Sequence, residues 1–309
     1  MTSDEIAELR QKGYNATVSS IRLANEDLMI VRVRPDSGVS PHRPGQYSTL
    51  GMGHWESRAP GCQDEIPKPG EEKKLIRRAY SISCSVLDDA GNLPEHAGAE
   101  WLEFYIVLVR KAEKAPPALT PRLFTLKEGD RIFMGEKIAG HYTLDPVKPT
   151  DNVVFLSTGT GEAPHNYMLW ELLAKKHQGK IVSACCVRYM RDLGYLAIQE
   201  ELARCYPNYT YLSLTTREAG NVGHKVYIQD LITSGQLEER LDDSLDPART
   251  HVYLCGNPNM IGVPNLDKTT GAAVYPPTLG VIEILSKRGF QMDQPSLKLK
   301  GNIHIEEYW

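Results

Sequence analysis

Hydrophobic and polar residues alternate along the first half of the chain, in short runs that turn residues separate. This alternation is typical of β-strands, and little helical periodicity interrupts it. The runs with strand character are 21–34, 44–50, 75–86 and 101–110. Residues 51–76 are rich in glycine, proline and charge, and we expect a long surface loop there. The pattern as a whole predicts an antiparallel barrel or sandwich.

The pattern changes near residue 147, where strand-like and helix-like segments begin to alternate. Short apolar strands are expected at 153–157, 181–187, 210–216 and 251–256, with helical patterns between them. Such alternation predicts parallel strands joined by crossover helices, an architecture typical of nucleotide-binding domains. We therefore predict two domains, an antiparallel β-barrel over residues 1–147 and a Rossmann-like α/β domain with a parallel sheet over residues 148–309.

Bulk composition narrows the function classes. The 309 residues carry a formal net charge of -4, which gives no sign of a nucleic-acid binder. The amino terminus is polar and acidic, and no apolar run approaches the roughly 20 residues of a membrane span. The six cysteines lack the paired spacing of disulfide frameworks, zinc sites and iron–sulfur clusters. We expect a cytoplasmic monomer without a metal, so that any redox chemistry would need an organic cofactor.

A glycine-rich turn follows the first strand of the second domain. Residues 157–164 read STGTGEAP, in which Thr158, Gly159, Thr160 and Gly161 lead into a helical pattern. Glycines let the backbone approach a ligand closely, and a helix N-terminus offers unpaired N–H groups to phosphate. The turn departs from the full GxGxxG pattern at Pro164. It is either a nucleotide site or only a tight connection, and its strand–turn–helix context favours the nucleotide.

Basic residues end two of the predicted parallel strands. Arg188 closes one strand, Thr216 and Arg217 close the next, and Lys225 begins the helix that follows. Charged residues often end strands for solubility alone, but cations that converge at this edge of a sheet could also clamp a 2′-phosphate. No acidic residue stands where NAD-type ribose recognition would require one. The pattern therefore favours NADP over NAD.

Two further candidates for ligand contacts are a cysteine at the end of a predicted strand and an aromatic pair at the end of the chain. Cys255 opens the turn CGNP at a strand end, where it is either a small core residue or part of the ligand crevice. The chain itself ends IHIEEYW, which places Tyr308 and Trp309 last. These aromatic rings would either close the core as a plug or stack on a planar ligand, and the nearby glycine turn favours stacking.

Four motifs, in this order, resemble those of the ferredoxin–NADP reductase family in its bacterial type. They are RAYS at 78–81, TGTGEAP at 158–164, CGNPNM at 255–260 and the aromatic pair at the carboxyl end. The resemblance covers most of the chain. It implies an FAD-binding β-barrel over residues 1–147 and an NADP-binding α/β domain over residues 148–309. The loops at 51–76 and 262–277 are longer than in compact bacterial members.

The resemblance also implies roles for single residues. Within RAYS, Arg78 would pair with the flavin pyrophosphate, Tyr80 would lie by the isoalloxazine, and Ser81 would sit near its reactive nitrogen, with Ala79 between. The other implied contacts to the flavin are Tyr105, Thr120, Tyr308 and Trp309. The implied contacts to the 2′-phosphate are Arg188, Arg217 and Lys225. The implied catalytic residues are Ser81, Cys255, Glu306 and Tyr308.

The implied activity is an FAD-dependent reductase that moves electrons between NADPH and a one-electron carrier, ferredoxin or flavodoxin. Basic residues of the first domain could steer such an acidic carrier, or could equally be solvated loop charges. They are Arg43, Arg58, Lys73, Lys74 and Arg77. Three alternatives stay open: the reductase component of an oxygenase, a small-molecule flavin or quinone reductase, and a non-catalytic nucleotide-binding regulator.

Overall fold

A computed structural model describes residues 1–221, 223–266, 273–293 and 300–308. Its first half contains six strands, which are β1 (Ala16–Asn25), β2 (Leu28–Pro35), β3 (Tyr47–Gly53), β4 (Leu75–Ser83), β5 (Leu102–Val107) and β6 (Arg131–Met134). All their pairings are antiparallel, and they close into a barrel in the order β1-β2-β5-β4-β3-β6. The prediction of an antiparallel barrel is therefore confirmed.

Two helices accompany the barrel, and the hydrophobic pattern predicted neither. The helix α1 (Ser3–Gly13) precedes β1, and the short α2 (Thr120–Leu123) lies between β5 and β6. A capping box begins α1, because Thr2 and Glu5 each accept a hydrogen bond from the backbone N–H of the other. No residue of α1 is buried, and its large apolar residues are Ile6 and Leu9 alone, so its hydrophobic pattern is weak. The Thr2–Glu5 spacing was the available signal.

The first helix is attached to the barrel through one buried carboxylate. The Nε of Arg10 donates to Glu56 Oε1 at 2.8 Å, and the hydroxyl of Tyr14 donates to the same atom at 2.8 Å. The indole N–H of Trp55 adds a third bond at 2.9 Å. Because Glu56 follows β3, these bonds hold α1 at that end of the barrel.

The second half of the chain forms a parallel sheet. Its strands are β7 (Asn152–Thr158), β8 (Ile181–Val187), β9 (Tyr209–Thr215), β10 (Thr250–Gly256) and β13 (Ile303–Glu307), in the order β13-β10-β7-β8-β9. The helices are α3 (Glu162–Ala174), α4 (Leu196–Cys205), α5 (Ile228–Thr233), α6 (Gln236–Leu241), α7 (Pro258–Ile261) and α8 (Val281–Ser286). A small hairpin pairs β11 (Asn265–Leu266) with β12 (Ala273–Val274). The predicted α/β domain is confirmed.

The helix α3 joins the two halves. Tyr167 belongs to the hydrophobic core of the barrel, whereas Met168 and Leu169 pack into the core of the parallel sheet. The helix is therefore buried on both sides and is not amphipathic in the way of a surface helix. The last barrel strand ends at Met134 and the first parallel strand begins at Asn152, so the predicted boundary at residue 147 falls in the connection.

Candidate active site

A cleft of about 1060 Å³ opens where the carboxyl ends of the parallel strands face the barrel. Open α/β sheets bind their ligands at this edge. The barrel side of the cleft is formed by the turn between β1 and β2 and by the chain after β5. Residues predicted from the sequence that line it are Thr158, Gly159, Thr160, Arg188, Thr216 and Tyr308.

The glycine turn lies at the centre of this edge. The strand β7 ends at Thr158, a single turn of 3₁₀-helix covers Gly159–Gly161, and α3 begins directly afterwards. Gly159 has a φ of 54°, in the left-handed region that favours glycine. A Cβ at Gly161 would lie 2.2 Å from the carbonyl oxygen of Cys255, so only glycine allows the two turns to pack together. The Oγ1 of Thr158 accepts a hydrogen bond from Asn257 N at 2.7 Å.

The four predicted catalytic residues come together at one end of the cleft. The edge strand β13 pairs with β10 so that Glu306 lies beside Cys255. The backbone N–H of Tyr308 then donates to Gly256 O at 3.2 Å. Its hydroxyl lies within hydrogen-bonding reach of both Cys255 and Ser81. Since Ser81 belongs to the barrel, Tyr308 bridges the two domains.

Burial controls the protonation of these groups. It raises the pKa of the Cys255 thiol well above its ordinary value, with a smaller contribution from the Glu306 carboxylate. It also raises the pKa of the Glu306 carboxyl and that of the Tyr308 hydroxyl. Cys255 is therefore a neutral thiol at neutral pH. Of Cys255, Glu306 and Tyr308, the Glu306 carboxyl is the group that loses its proton at the lowest pH.

The strand β4 presents an uncovered surface to solvent. It lies between β5 and β3 in the barrel, yet Arg77, Arg78 and Ala79 in its middle are exposed, whereas Ser81 is buried. Tyr80 is half-buried, and burial raises the pKa of its hydroxyl. Arg78 and Tyr80 are two residues apart and therefore lie on the same face of the strand. An exposed cation beside an aromatic ring on an inner strand fits a planar, anionic ligand such as FAD, which would cover these two side chains.

Two residues expected near the flavin have their hydroxyls engaged already. Thr120 begins α2, and its Oγ1 accepts a hydrogen bond from Val109 N at 3.1 Å. Tyr105 is buried between the domains, where its hydroxyl accepts from Gly194 N at 2.7 Å and donates to Asp192 O at 3.2 Å. The structure thus places Tyr105 apart from the β4 surface, and its role as a flavin contact stays a prediction.

The predicted phosphate-binding cations lie at adjacent strand ends. Arg217 N donates to Arg188 O at 2.8 Å, which sets the two arginines side by side, and Arg188 and Thr216 line the cleft. The Nε of Arg188 bonds to Asp192 Oδ2 at 3.2 Å. Lys225 is exposed ahead of α5. Trp309 lies outside the described residues.

Comparisons with known proteins agree with this geometry. A family model described as an oxidoreductase NAD-binding domain matches residues 155–264. A flavodoxin/ferredoxin–NADP reductase of Escherichia coli is 30% identical over 224 residues, which are 72% of this chain and 77% of that protein. A ferredoxin–NADP reductase of Pseudomonas aeruginosa is 29% identical over 261 residues, which cover 80% and 86% of the two chains. The chain belongs to the flavodoxin/ferredoxin–NADP reductase family.

The fold of this family also appears among solved structures. A ferredoxin NADP+ reductase from Neisseria gonorrhoeae, solved with bound FAD and NADP, matches 95% of this chain and 97% of its own with a TM-score of 0.67. Its sequence identity is 20%, so this likeness concerns the fold alone.

The connection between β3 and β4 is attached to the part of the chain that leads into α2. Residues 54–74 connect β3 to β4, and Glu65 in this segment bonds to Arg58 at 2.7 Å and to the buried Arg122 of α2 at 2.5 Å. Gln63 N donates to Arg110 O at 2.7 Å. Residues 54–74 contain no helix or strand and many of them are exposed, so they form a surface loop, as the sequence predicts for most of 51–76. The bonds of Glu65 and Gln63 attach this loop to residues 108–122.

Two groups of this reductase-family site escaped the sequence analysis. Glu162 follows the glycine turn directly, and its carboxyl is buried beneath it. Asp192 lines the cleft and bonds to Arg188, while Asn25 reaches it from the barrel. A charged residue at the start of an otherwise apolar helix was a usable signal for Glu162. Asn25 and Asp192 are far apart in sequence, so no local pattern could have paired them.

Proposed function

We propose that this chain is an FAD-dependent reductase that moves electrons between NADPH and a one-electron carrier, ferredoxin or flavodoxin. The observation that carries the proposal is the position of Tyr308. It is held between Ser81 of the barrel and Cys255 of the parallel sheet, at the mouth of a cleft lined by the glycine turn. A site where a flavin surface meets a nucleotide crevice suits electron transfer between the two cofactors.

The barrel would hold FAD through β4. Arg78 would pair with the pyrophosphate, since its guanidinium is exposed and, in the described part of the chain, donates only to Arg77 O. Tyr80 would lie along the isoalloxazine, and Ser81 would stand near its reactive edge. Bound FAD would supply the exchange between a two-electron hydride donor and a one-electron acceptor.

The parallel sheet would hold NADPH at its carboxyl edge. The N–H groups at the glycine turn and the start of α3 would bind the nucleotide pyrophosphate. Arg188 and Arg217, with Lys225 and Thr216, would bind the 2′-phosphate. Cys255 and Glu306 lie where the nicotinamide would reach the flavin. Cys255 would shape that pocket as a neutral thiol, and Glu306 would hold or release a proton there.

Tyr308 would gate the nicotinamide position. Its side chain lines the cleft, and its hydroxyl lies near Ser81 and Cys255, which belong to different domains. The nicotinamide can approach the flavin surface only if this ring moves. Displacement of Tyr308 would therefore accompany each productive encounter with NADPH.

The proposed carrier would dock on the barrel side by charge attraction. Lys74 and Arg77 are exposed. Arg58 was also expected to be a docking charge, but it is mostly buried and bonds to Glu65, so it is not available to a carrier. Arg43 and Lys73 are already paired with carboxylates, Arg43 with Asp145 and Lys73 with Glu5. The cations that support this proposal are therefore Lys74 and Arg77, which are exposed at and beside β4.

Purified protein tests the proposed function directly. We expect it to bind FAD, to reduce that flavin with NADPH, and to reduce cytochrome c only when ferredoxin or flavodoxin is added. Quinone and free flavin serve as parallel acceptors. A protein that takes up no FAD would contradict the proposal, and one that reduces quinones far faster than ferredoxin and flavodoxin would contradict its choice of carrier.

A further inference from the structure

A short segment after β8 connects the nucleotide edge to the barrel. This segment, residues 188–195, begins at the predicted phosphate contact Arg188. It meets the turn between β1 and β2, where the Nδ2 of Asn25 donates to Arg191 O at 2.9 Å and to Asp192 Oδ1 at 3.1 Å. Asn25, Arg188 and Asp192 all line the same cleft. The contact therefore joins the two domains within the wall of the proposed NADPH site.

The amide of Asn25 has a fixed orientation. Its Oδ1 accepts a hydrogen bond from Asp27 N at 2.9 Å, which leaves Nδ2 to face Asp192. An amide turned the other way would set its oxygen against the carboxylate of Asp192 and lose both donor contacts. The turn between β1 and β2 thus offers a single N–H₂ donor group to the opposite domain.

The carboxylate of Asp192 divides its two oxygens between the domains. Oδ1 accepts from Asn25, whereas Oδ2 faces the Nε of Arg188 at 3.2 Å and Tyr189 N at 3.3 Å. The side chain of Asp192 is only 12% exposed, and that of Arg188 is 53% exposed. Asp192 is therefore a nearly buried anchor that holds an accessible guanidinium by one edge.

We propose that Asn25 and Asp192 are positioning residues that couple recognition of the 2′-phosphate by Arg188 to the docking of the nucleotide domain on the barrel. The inference rests on the proposed function, which assigns the 2′-phosphate to Arg188. It goes beyond that function because it makes the phosphate, remote from the nicotinamide, a determinant of the rate of hydride transfer. We call the Asn25–Asp192–Arg188 contacts the latch.

The geometry of the carboxylate explains the coupling. A guanidinium and a free carboxylate prefer two parallel hydrogen bonds, which would occupy one Nη of Arg188 as well as Nε. Asn25 holds Oδ1 of Asp192, so the carboxylate binds Arg188 by Nε and leaves the Nη fork to a phosphate. If the barrel moves away, Oδ1 is released and competes for that fork. The docked state therefore binds the 2′-phosphate more tightly.

Linkage makes this effect reciprocal. If docking strengthens phosphate binding, then phosphate binding favours docking by the same factor. Docking of the two domains also sets how the nicotinamide meets the flavin surface, since Tyr308 and Ser81 face each other across the same pair of domains. Part of the binding energy of the remote phosphate then appears as a faster hydride transfer and not only as tighter binding.

The test compares Asn25→Ala with a matched control at the same contact. Arg22 on β1 donates to Gly194 O at 3.1 Å and does not touch the carboxylate of Asp192. Arg22→Ala therefore loosens the same pair of segments without opening the latch. Binding of 2′-AMP and of 5′-AMP to the oxidised protein is measured by calorimetry. Flavin reduction by saturating NADPH and NADH is measured by stopped flow.

We expect Asn25→Ala to weaken 2′-AMP binding by about five- to tenfold and to leave 5′-AMP binding unchanged. The ratio of limiting reduction rates for NADPH and NADH should fall by a similar factor. Arg22→Ala should change neither quantity. Equal losses with both nucleotides, or equal effects of the two variants, would mean that the contact serves only general docking and would overturn the proposal.

Asp192→Asn separates positioning from simple charge. Its amide has a single acceptor oxygen, so it cannot accept from Asn25 at one atom and from Arg188 at the other, as the carboxylate does. The latch predicts weaker 2′-AMP binding in this variant, whereas plain charge repulsion between Asp192 and phosphate predicts tighter binding and would overturn it. Wild-type protein that reduces its flavin with NADPH but does not prefer 2′-AMP refutes the latch alone. Failure of that reduction refutes the proposed function.

Discussion

Glu162 combines a chemically useful position with an unusual environment. It is the first residue of α3, directly after the glycine turn, yet its carboxyl is buried among Tyr105, Cys185, Tyr209 and Tyr211. The hydroxyl of Tyr211 donates to Oε1 at 2.8 Å, and Oε2 has no partner among the described residues. Burial raises the pKa of this carboxyl to about 7. Below this pH the carboxyl is mostly protonated and would add no full negative charge beside a bound pyrophosphate.

This raised pKa predicts a dependence of stability on pH. The folded protein holds the proton of Glu162 more tightly than the unfolded chain, so its contribution is largest at low pH and fades as pH rises through about 7. Glu162→Gln removes the titration and supplies an N–H₂ at the unpartnered Oε2 position. Between pH 5.5 and 8.5 the variant should gain about 2 kcal/mol relative to wild type.

Urea unfolding at several pH values measures this difference. Wild type and variant are compared at matched ionic strength, with the carboxyl end of the chain unchanged. Glu201→Gln is the control, because Glu201 is an exposed residue of α4 that pairs with Arg204. A difference in unfolding free energy that stays constant across the pH range would contradict the assignment of the titration to Glu162.

The position of Tyr308 is set by the edge strand β13, which it follows directly. That strand pairs with β10, and Tyr308 therefore lies between the domains, where it lines the cleft. Tyr308→Ser should vacate this place, and we expect NADP⁺ to bind about tenfold more tightly while turnover slows, because the bound nicotinamide leaves less readily. Titration of NADP⁺ by difference spectroscopy and steady-state kcat measure the two effects.

Tyr308→Phe separates the ring from the hydroxyl in the same experiment. It keeps the ring at the end of β13 and removes only the hydroxyl that lies near Ser81 and Cys255. We expect NADP⁺ affinity close to that of wild type, because the gating depends on the ring. Unchanged NADP⁺ affinity in Tyr308→Ser would count against the gate.

The loop 54–74 can also be tested for a structural role. Glu65 bonds to Arg58 and to Arg122, and the side chain of Arg122 is only 3% exposed. Glu65→Gln would leave this buried guanidinium without its carboxylate and should lower the free energy of unfolding by about 3 kcal/mol. Glu72→Gln, on an exposed residue of the same segment, should change it little. Denaturant unfolding of both variants measures this, and equal values would contradict the structural role of Glu65.

Elements with a regular hydrophobic pattern or a glycine-rich turn could be predicted from the sequence. Those held in place by polar contacts between residues far apart in the sequence could not. The strands β7, β8 and β10 follow apolar runs that the sequence displays openly. The helix α1 has only a weak apolar pattern, and none of its residues is buried. Segment 54–74 is attached through Glu65, whose sequence context indicates an ordinary loop charge because its partner Arg122 is distant in sequence. The same holds at the site: Arg188 follows from a strand end, whereas its anchor Asp192 depends on a residue of the other domain.

At the scale of the whole molecule, net charge and local charge have opposite consequences. The chain carries -4 overall, yet Lys74 and Arg77 are exposed at and beside β4. Arg77 lies with its guanidinium 4.1 Å from the ring of Phe133, which fixes the charge at the barrel surface. The proposed acidic carrier would therefore be attracted to this patch at short range even though the two molecules would repel at long range, and salt screening would separate the two effects.

Reversal of one charge in this patch tests the docking side. Arg77→Glu should raise the KM for ferredoxin about fivefold at low ionic strength and leave NADPH-driven ferricyanide reduction unchanged, because the small acceptor needs no docking patch. Arg240→Glu makes the same change on the exposed face of α6 in the other domain and alters the net charge equally. If both variants raise KM alike, total charge governs the encounter and the patch beside β4 is not the docking site. If the effect of Arg77→Glu persists at high salt, the residue makes a short-range contact with the carrier and does more than steer it.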